Sequence, residues 1–119
     1  MVVGLLQVGD LAQARGPVEA TGSLGSVALS VLPPEAQQTQ RLIHAGGPFP
    51  SSRDGVVFGN FERVLPRRER GFYREYTVPT PGVHGRGARR IVCGGMRPAQ
   101  PVACFYTADH YASFKVIAP

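Results

Sequence analysis

The stretch Pro33-Pro-Glu-Ala-Gln-Gln-Thr-Gln-Arg-Leu-Ile-His-Ala-Gly-Gly-Pro48 decides the fold of this chain. Proline is tolerated in the first turn of a helix, and Glu35 stands where a carboxylate meets the positive end of the helix dipole. Gly46-Gly47-Pro48 is a strong terminator. The interval predicts one helix of about three turns, running through Ala36, Leu42 and Ile43. Its apolar stripe is thin, because Gln37, Gln38 and Gln40 dilute it.

Before this segment, Ser26 to Leu32 alternates small and apolar residues and reads as a short strand. After it come strand candidates at Val56–Phe58, Phe72–Val78, Arg89–Cys93, Cys104–Thr107 and Ala112–Ile117. Turn signals separate them at Arg53-Asp54-Gly55, Pro81-Gly82 and the Pro98–Pro101 segment. One N-terminal helix followed by adjacent strands predicts an α+β domain, with the helix packed on an antiparallel sheet.

A chain of 119 residues with 43% hydrophobic content suits one small domain with one core. No apolar run reaches the roughly 18 residues that suggest a membrane span. Fifteen Gly and eleven Pro favour turns and short strands over a helical bundle. The formal charge is +5, and eight of the thirteen basic residues fall between Arg63 and Arg90. Twelve of the thirteen are arginine, which favours planar, bidentate contact with phosphate. Such a clustered basic stripe is the footprint of a nucleic-acid partner, although a solubilising surface has the same composition.

Residues 1–23 differ from the rest. Val2-Val-Gly-Leu-Leu6 is weakly apolar and is followed by Ala12-Gln-Ala14, which has the small-x-small form of a signal-peptidase site. There is no basic segment ahead of it, and the apolar stretch is short. The region reads either as a flexible leader, rich in Gly, Pro, Ser and Thr from Gly16 to Gly25, or as the remnant of a signal peptide. The folded domain is expected over residues 24–119.

Strand alternation places Phe72, Tyr76 and Val78 on one face, a plausible core face against the helix, and Tyr73, Glu75 and Thr77 on the other. In the next strand Arg90 and Val92 oppose Arg89, Ile91 and Cys93. With Ile91 and Cys93 in the core, Arg90 joins Glu75 on one exposed sheet face.

Four polar islands carry the chemistry: Gly55-Val-Val-Phe-Gly-Asn-Phe-Glu62, Tyr73-Arg-Glu-Tyr-Thr77, Arg86-Gly-Ala-Arg-Arg90 and Asp109-His-Tyr111. In order and spacing, from about Leu24 to Ile117, they resemble the guanyl-specific microbial ribonucleases, the barnase-like family. The resemblance implies a microbial ribonuclease fold and cleavage of single-stranded RNA 3′ to guanosine. It also implies a 2′,3′-cyclic phosphate, later hydrolysed to the 3′-phosphate. The family is typically secreted, and relatives are held by small acidic inhibitor proteins, a partner that the basic face suits. No cofactor is expected, since three scattered histidines and two cysteines have no metal-ligand spacing. The chain is expected to act as a monomer away from membranes.

RNA carries its own nucleophile, the 2′-hydroxyl. An enzyme must supply a base, an acid for the departing 5′-oxygen and positive charge for the phosphorane. Glu75 occupies the family's general-base motif; the alternative for it is an ion pair with a neighbouring arginine. His110 is the candidate acid, just before the last strand and next in sequence to the carboxylate of Asp109. His84 is its rival, and His44 suits a surface role at the helix end. The resemblance gives Arg86 and Arg90 the phosphate oxygens, with Arg89 a less certain third, and makes Tyr111 an active-site tyrosine.

Guanine presents N1–H and N2–H donors and an O6 acceptor, so its reader needs one carboxylate and nearby N–H groups. Glu62 fits the first need, and the backbone of Asn60 and Phe61 the second, with Gly59 allowing the tight loop. Phe58 and Phe61 are placed to stack on the base, Phe58 having core packing as its alternative. Gly59 and Phe61 depart from the polar or basic residues that family members often carry there. Two other classes remain: an RNA-binding module of the same fold without turnover, and a domain whose arginines meet an acidic protein.

Each cysteine has two readings. Cys93 shares a face with Ile91, which favours a buried free thiol, while a bridge to Cys104 across a hairpin stays open. Relatives often tie the start of the domain to its end with a disulfide, and neither end carries a cysteine here.

Overall fold

The computed structural model describes residues 24–119. The expected leader over residues 1–23 lies outside the described residues. Along the chain come β1 (Gly25–Ala28), a 3-10 turn (Leu29–Val31), α1 (Pro34–Ala45), β2 (Val56–Val57), β3 (Tyr73–Thr77), β4 (Arg90–Gly94), β5 (Ala103–Thr107) and β6 (Lys115–Ala118). The strands form one sheet in the order β1-β6-β5-β4-β3-β2.

Helix α1 starts and stops where its prolines and glycines dictate. Pro34 opens the first turn, and Gly46 closes the last at φ 81°, a conformation that costs glycine little. The N–H groups of Gly46 and Gly47 turn back to the carbonyls of Ile43 and Leu42, capping the orphan acceptors. The buried positions are Ala36, Thr39, Gln40 and Ile43, one face at helical spacing. Two of these are polar, and both find partners across the interface. The Thr39 hydroxyl lies 3.0 Å from the Glu35 carbonyl and 3.1 Å from the Thr77 carbonyl, while Gln40 Nε2 donates to Cys104 Sγ at 3.3 Å. The thin apolar stripe is therefore completed by hydrogen bonds to the sheet.

Alternation along the central strands splits the core in two. Tyr76, Val78, Ile91, Cys93 and Cys104 pack toward α1 with Leu32, Ala36 and Ile43. Tyr73, Val92 and Phe105 face the other way and pack with Leu65 and Phe114. Phe72 joins this second group rather than the helix face expected for it. It precedes β3 in a turn, where strand alternation does not yet apply.

Five further expectations are corrected. The sheet is mixed, because β1 pairs in parallel with β6, Gly25 opposite Lys115 through Ala28 opposite Ala118, while the other pairings are antiparallel. The first strand stops at Ala28, and β2 holds two residues. The last strand begins at Lys115 rather than Ala112, because Asp109 ties residues 107–113 into a hydrogen-bonded loop. Finally, Cys93 and Cys104 form a disulfide rather than leaving a free thiol. They sit directly opposite each other on β4 and β5, a register that alternation alone could not provide.

The bridge closes a short loop, with a sequence separation of 11. Replacing both cysteines by alanine is expected to cost about 3 kcal/mol by the loop-closure argument, with the fold retained. Urea unfolding of oxidised protein beside the Cys93→Ala/Cys104→Ala variant checks this; equal midpoints would contradict it.

Candidate active site

The site is built on the sheet face turned away from α1. In the β3–β4 pairing Thr77 lies opposite Arg90 and Glu75 opposite Val92, so Glu75 and Arg90 project on the same side. That side is covered rather than open. Glu75 is 8% exposed and Arg90 is 2% exposed. The expected solvated face is thus a buried one, roofed by Tyr111.

Three groups converge on a single oxygen. Glu75 Oε1 accepts a hydrogen bond from the Tyr111 hydroxyl at 2.7 Å and one from Arg86 Nη2 at 3.2 Å. Arg90 Nε lies 4.0 Å from the same oxygen and donates to the Tyr111 hydroxyl at 3.0 Å. These contacts leave Oε2 uncommitted. Burial raises the Tyr111 pKa above its ordinary value, and the hydrogen bond to Glu75 and its charge push the same way. The phenol therefore stays protonated and remains a donor.

Each guanidinium is held by the backbone or a neighbour rather than by Glu75 alone. Arg90 Nη1 donates to the carbonyls of Arg89, Gly87 and Arg86 at 2.8, 3.1 and 3.5 Å. Arg86 grips Thr77 Oγ1 through Nε at 2.9 Å and Nη2 at 2.7 Å. The ion-pair alternative for Glu75 holds, since it is paired with Arg86, and the same side chain borders the cleft. Arg89 is not brought to the site. It lies beside Tyr106, whose side chain packs toward the helix side.

A cleft of about 790 Å³ opens beside this cluster. Glu75, His110 and Tyr111 line it, together with the whole Phe58–Glu62 segment. His110 and Tyr111 both adopt left-handed backbone, at φ 55° and 74°. A hydrogen-bonded knot holds them there. The Thr107 hydroxyl donates to Asp109 Oδ1 at 2.8 Å and accepts from the Tyr111 N–H at 3.1 Å. Asp109 Oδ1 takes the Ser113 N–H at 2.9 Å, and Oδ2 takes the Ser113 hydroxyl at 2.6 Å. The His110 N–H donates to the Ala88 carbonyl at 3.0 Å. Asp109, the sequence neighbour of His110, spends its carboxylate on this loop. The rival His84 lies in an exposed turn outside the cleft.

The Phe58–Glu62 loop is latched by Asn60. Its side-chain amide donates to the Leu65 carbonyl at 3.0 Å and accepts from the Leu65 N–H at 3.1 Å. Asn60 itself is left-handed at φ 54°, so Asn rather than Gly59 supplies the turn. Gly59 has a different reason to be small. A Cβ there would meet the Phe61 ring at 2.5 Å, because the ring lies over the loop. These bonds use the carbonyl and side chain of Asn60 and leave the N–H groups of Asn60 and Phe61 uncommitted. Glu62 is exposed at the rim.

Of the two phenylalanines, Phe61 is 83% exposed. Phe58 stacks on Tyr111, ring centroids 5.2 Å apart, and meets Phe114 edge-on at 6.0 Å. Its core-packing alternative therefore holds, and it supports one wall of the cleft. Sequence reading missed Thr77, Arg53 on the rim and the Thr107–Asp109–Ser113 knot. The short Thr-x-Asp-x-x-x-Ser spacing of the knot was the available signal.

The ribonuclease family model matches residues 15–118, and the chain belongs to the guanyl-specific microbial ribonuclease family. It is 54% identical to guanyl-specific ribonuclease Sa of Kitasatospora aureofaciens over 78% of this chain and 93% of that protein. It is 47% identical to guanyl-specific ribonuclease St of Saccharopolyspora erythraea over 86% of this chain and 96% of that one. The fold superposes on ribonuclease Sa2 solved with guanosine-2′-cyclophosphate at TM-score 0.73 and 46% identity, covering 81% of this chain and 97% of that one. A second Sa2 structure, solved with 3′-GMP, gives TM-score 0.71.

The knot makes a testable demand on pH. Its hydrogen bonds from Ser113 and Thr107 hold the Asp109 carboxyl down at about 2, against an ordinary 3.8. A depressed carboxyl stabilises the fold above its unfolded value and loses that effect as pH falls through its folded value. Asp109→Asn should therefore melt below the parent at pH 5–7. The gap should close between pH about 4 and about 2. Thermal melts across this range would refute the assignment if the gap is independent of pH.

Proposed function

We propose that this chain is an endoribonuclease that cleaves single-stranded RNA 3′ to guanosine by transphosphorylation, with Glu75, His110, Arg86, Arg90 and Tyr111 performing the chemistry and Glu62 reading the base. The observation that carries the reading is the grip on one oxygen of Glu75, in a cleft shared with His110 and Glu62. It leaves Oε2 free to act as a base while the charge needed by phosphate stands beside it.

In the first step Oε2 of Glu75 takes the proton of the 2′-hydroxyl, and the 2′-oxygen attacks phosphorus. Arg86 and Arg90 face the negative charge that builds on the non-bridging oxygens of the phosphorane. Their orientation is fixed before substrate arrives by Thr77 and by three backbone carbonyls, so little reorganisation accompanies the reaction. Tyr111 donates to the same region. His110, as the imidazolium, gives its proton to the departing 5′-oxygen, and the 2′,3′-cyclic phosphate forms. In the second step the roles reverse: His110 takes a proton from water, the hydroxide attacks phosphorus, and Glu75 returns a proton to the 2′-oxygen. Ribonuclease Sa2 has been solved with guanosine-2′-cyclophosphate and with 3′-GMP, ligands of the kinds that these two steps produce.

Glu62 would accept from guanine N1–H and N2–H, with the N–H groups of Asn60 and Phe61 meeting O6. Phe61 closes over the base. Adenine offers an acceptor at N1, which would face the Glu62 oxygens and leave polar groups unpaired. The protein is proposed to work outside the cell, where the Cys93–Cys104 disulfide persists, as a monomer whose basic face also suits a small acidic inhibitor.

The test is cleavage of a short mixed-sequence RNA in EDTA, with product ends mapped, beside its all-deoxy analogue. Cuts after G ending in cyclic phosphate, with the DNA intact, are expected. Glu75→Gln and His110→Ala should each lower kcat by about 10²–10⁴-fold while 3′-GMP still binds. Activity surviving both changes would remove the assignment. Glu62→Gln should cost guanosine preference before it costs turnover of a good substrate.

A further inference from the structure

The loop between the base-reading segment and β3 carries charge that the proposed reaction does not use. Arg63, Arg67, Arg68 and Arg70 fall within eight residues, with Glu69 the only acid among them. Among the described residues, the one ion pair in this group joins Arg68 Nε to Glu69 at 3.4 Å. Residues 67–70 are all exposed.

The loop is nevertheless pinned at both ends. Leu65 is buried and held by the Asn60 side chain, and the Pro66 carbonyl accepts the Tyr73 hydroxyl. Beyond the arginines, Phe72 and Tyr73 sit in the core. Arg68 lies over the Phe72 ring, its guanidinium carbon 3.7 Å from the centroid. These guanidiniums surround a second hollow of about 300 Å³. Its near wall is the Phe58–Phe61 segment, which is also a wall of the catalytic cleft. The base-reading loop is therefore a ridge, with catalysis on one side and arginines on the other.

We propose that this hollow is a phosphate subsite for single-stranded RNA on the 5′ side of the recognised guanosine. The proposal rests on the base-reading role given above to Glu62. The polarity follows from the layout. The scissile phosphate is 3′ of the guanosine and lies at Glu75, so the leaving nucleotide departs from that end. A strand continuing past the guanine in the other direction crosses the ridge and reaches the arginines. Planar guanidiniums beside the exposed Phe61 and the Arg68–Phe72 stack match the alternation of charge and ring that single strands require.

Binding separates this from the catalytic reading. Two RNA pentamers of equal charge, UUUGA and GAUUU, each carrying 2′-deoxyguanosine so that the attacking hydroxyl is absent, are titrated against salt. The 5′-extended pentamer should bind more tightly at low salt and with the steeper slope. Arg67→Gln/Arg70→Gln should flatten that slope by about 1.4, two phosphate contacts at about 0.7 each, and leave the GAUUU slope unchanged. Cleavage of the dinucleotide GpA by the same variant should match the parent. Equal slopes for both pentamers, an unchanged slope in the variant, or a loss confined to GAUUU would overturn the subsite. Failure of the parent to cleave GpA would instead strike the ribonuclease reading, which the binding titration does not depend on.

Discussion

Burying the Glu75 carboxylate is the constraint on which the working half of this domain depends. A charge in the middle of a sheet face is unfavourable unless paired and hydrogen-bonded. Here one oxygen takes the Tyr111 hydroxyl and Arg86, with Arg90 close behind. None of these partners is local in sequence; Tyr111 comes from 36 residues away. Each must itself be anchored, so the requirement spreads outward. Arg90 needs three carbonyls of the preceding turn, Arg86 needs Thr77, and Tyr111 needs a left-handed backbone held by the Thr107 hydroxyl, which Asp109 in turn orients. Removing one member of such a cluster leaves the others buried and unpaired, typically at a cost of about 3–5 kcal/mol.

The two faces of the sheet divide the work accordingly. Toward α1 the side chains are apolar apart from Thr39 and Gln40, whose hydrogen bonds run to the sheet, and a disulfide joins the strands beneath. The opposite face carries apolar residues at its far end, Val92, Phe105 and Phe114, and the ionic cluster nearer β3. Phe58 connects the two regions, packing on Phe114 and stacking on Tyr111. The aromatic wall of the cleft is thus continuous with the core, and the Phe58–Glu62 loop begins from a fixed point.

Much of this was legible in the chain. Pro34 and Gly46 bound the helix because their backbone preferences are local. Alternation placed Glu75 and Arg90 together, because the period of two is a property of any strand. What escaped depends on distant partners. The parallel pairing of β1 with β6 has no local signature, since the two strands stand at opposite ends of the domain. The disulfide needed the β4–β5 register, which the irregular connection between those strands sets. Gln40 dilutes the apolar stripe in the sequence, and its burial rests on contacts of Nε2 with His44 and with the sulfur of Cys104, 64 positions on, while its Oε1 stays unpaired. Left-handed His110 and Tyr111 were invisible because positive φ is uncommon for any residue but glycine, and the modest enrichment of histidine there does not mark a particular position.

The Phe58–Glu62 loop shows why residue type and structural reason can part company. Gly59 invites an explanation by backbone freedom, yet the left-handed turns fall on Asn60 and Arg63. Asn60 tolerates that conformation and uses its amide to close the loop on Leu65, so its side chain is structural. Gly59 then serves the neighbouring ring, leaving space for Phe61 to lie against the loop while remaining almost wholly exposed. The latch and the ring therefore do separate work: the Asn60–Leu65 hydrogen bonds fix the backbone of the loop, while the exposed Phe61 ring contributes little to the core. Reading the edge of an unpaired base, the role proposed for this loop, asks for that division, since hydrogen-bond geometry must be fixed while stacking can adapt.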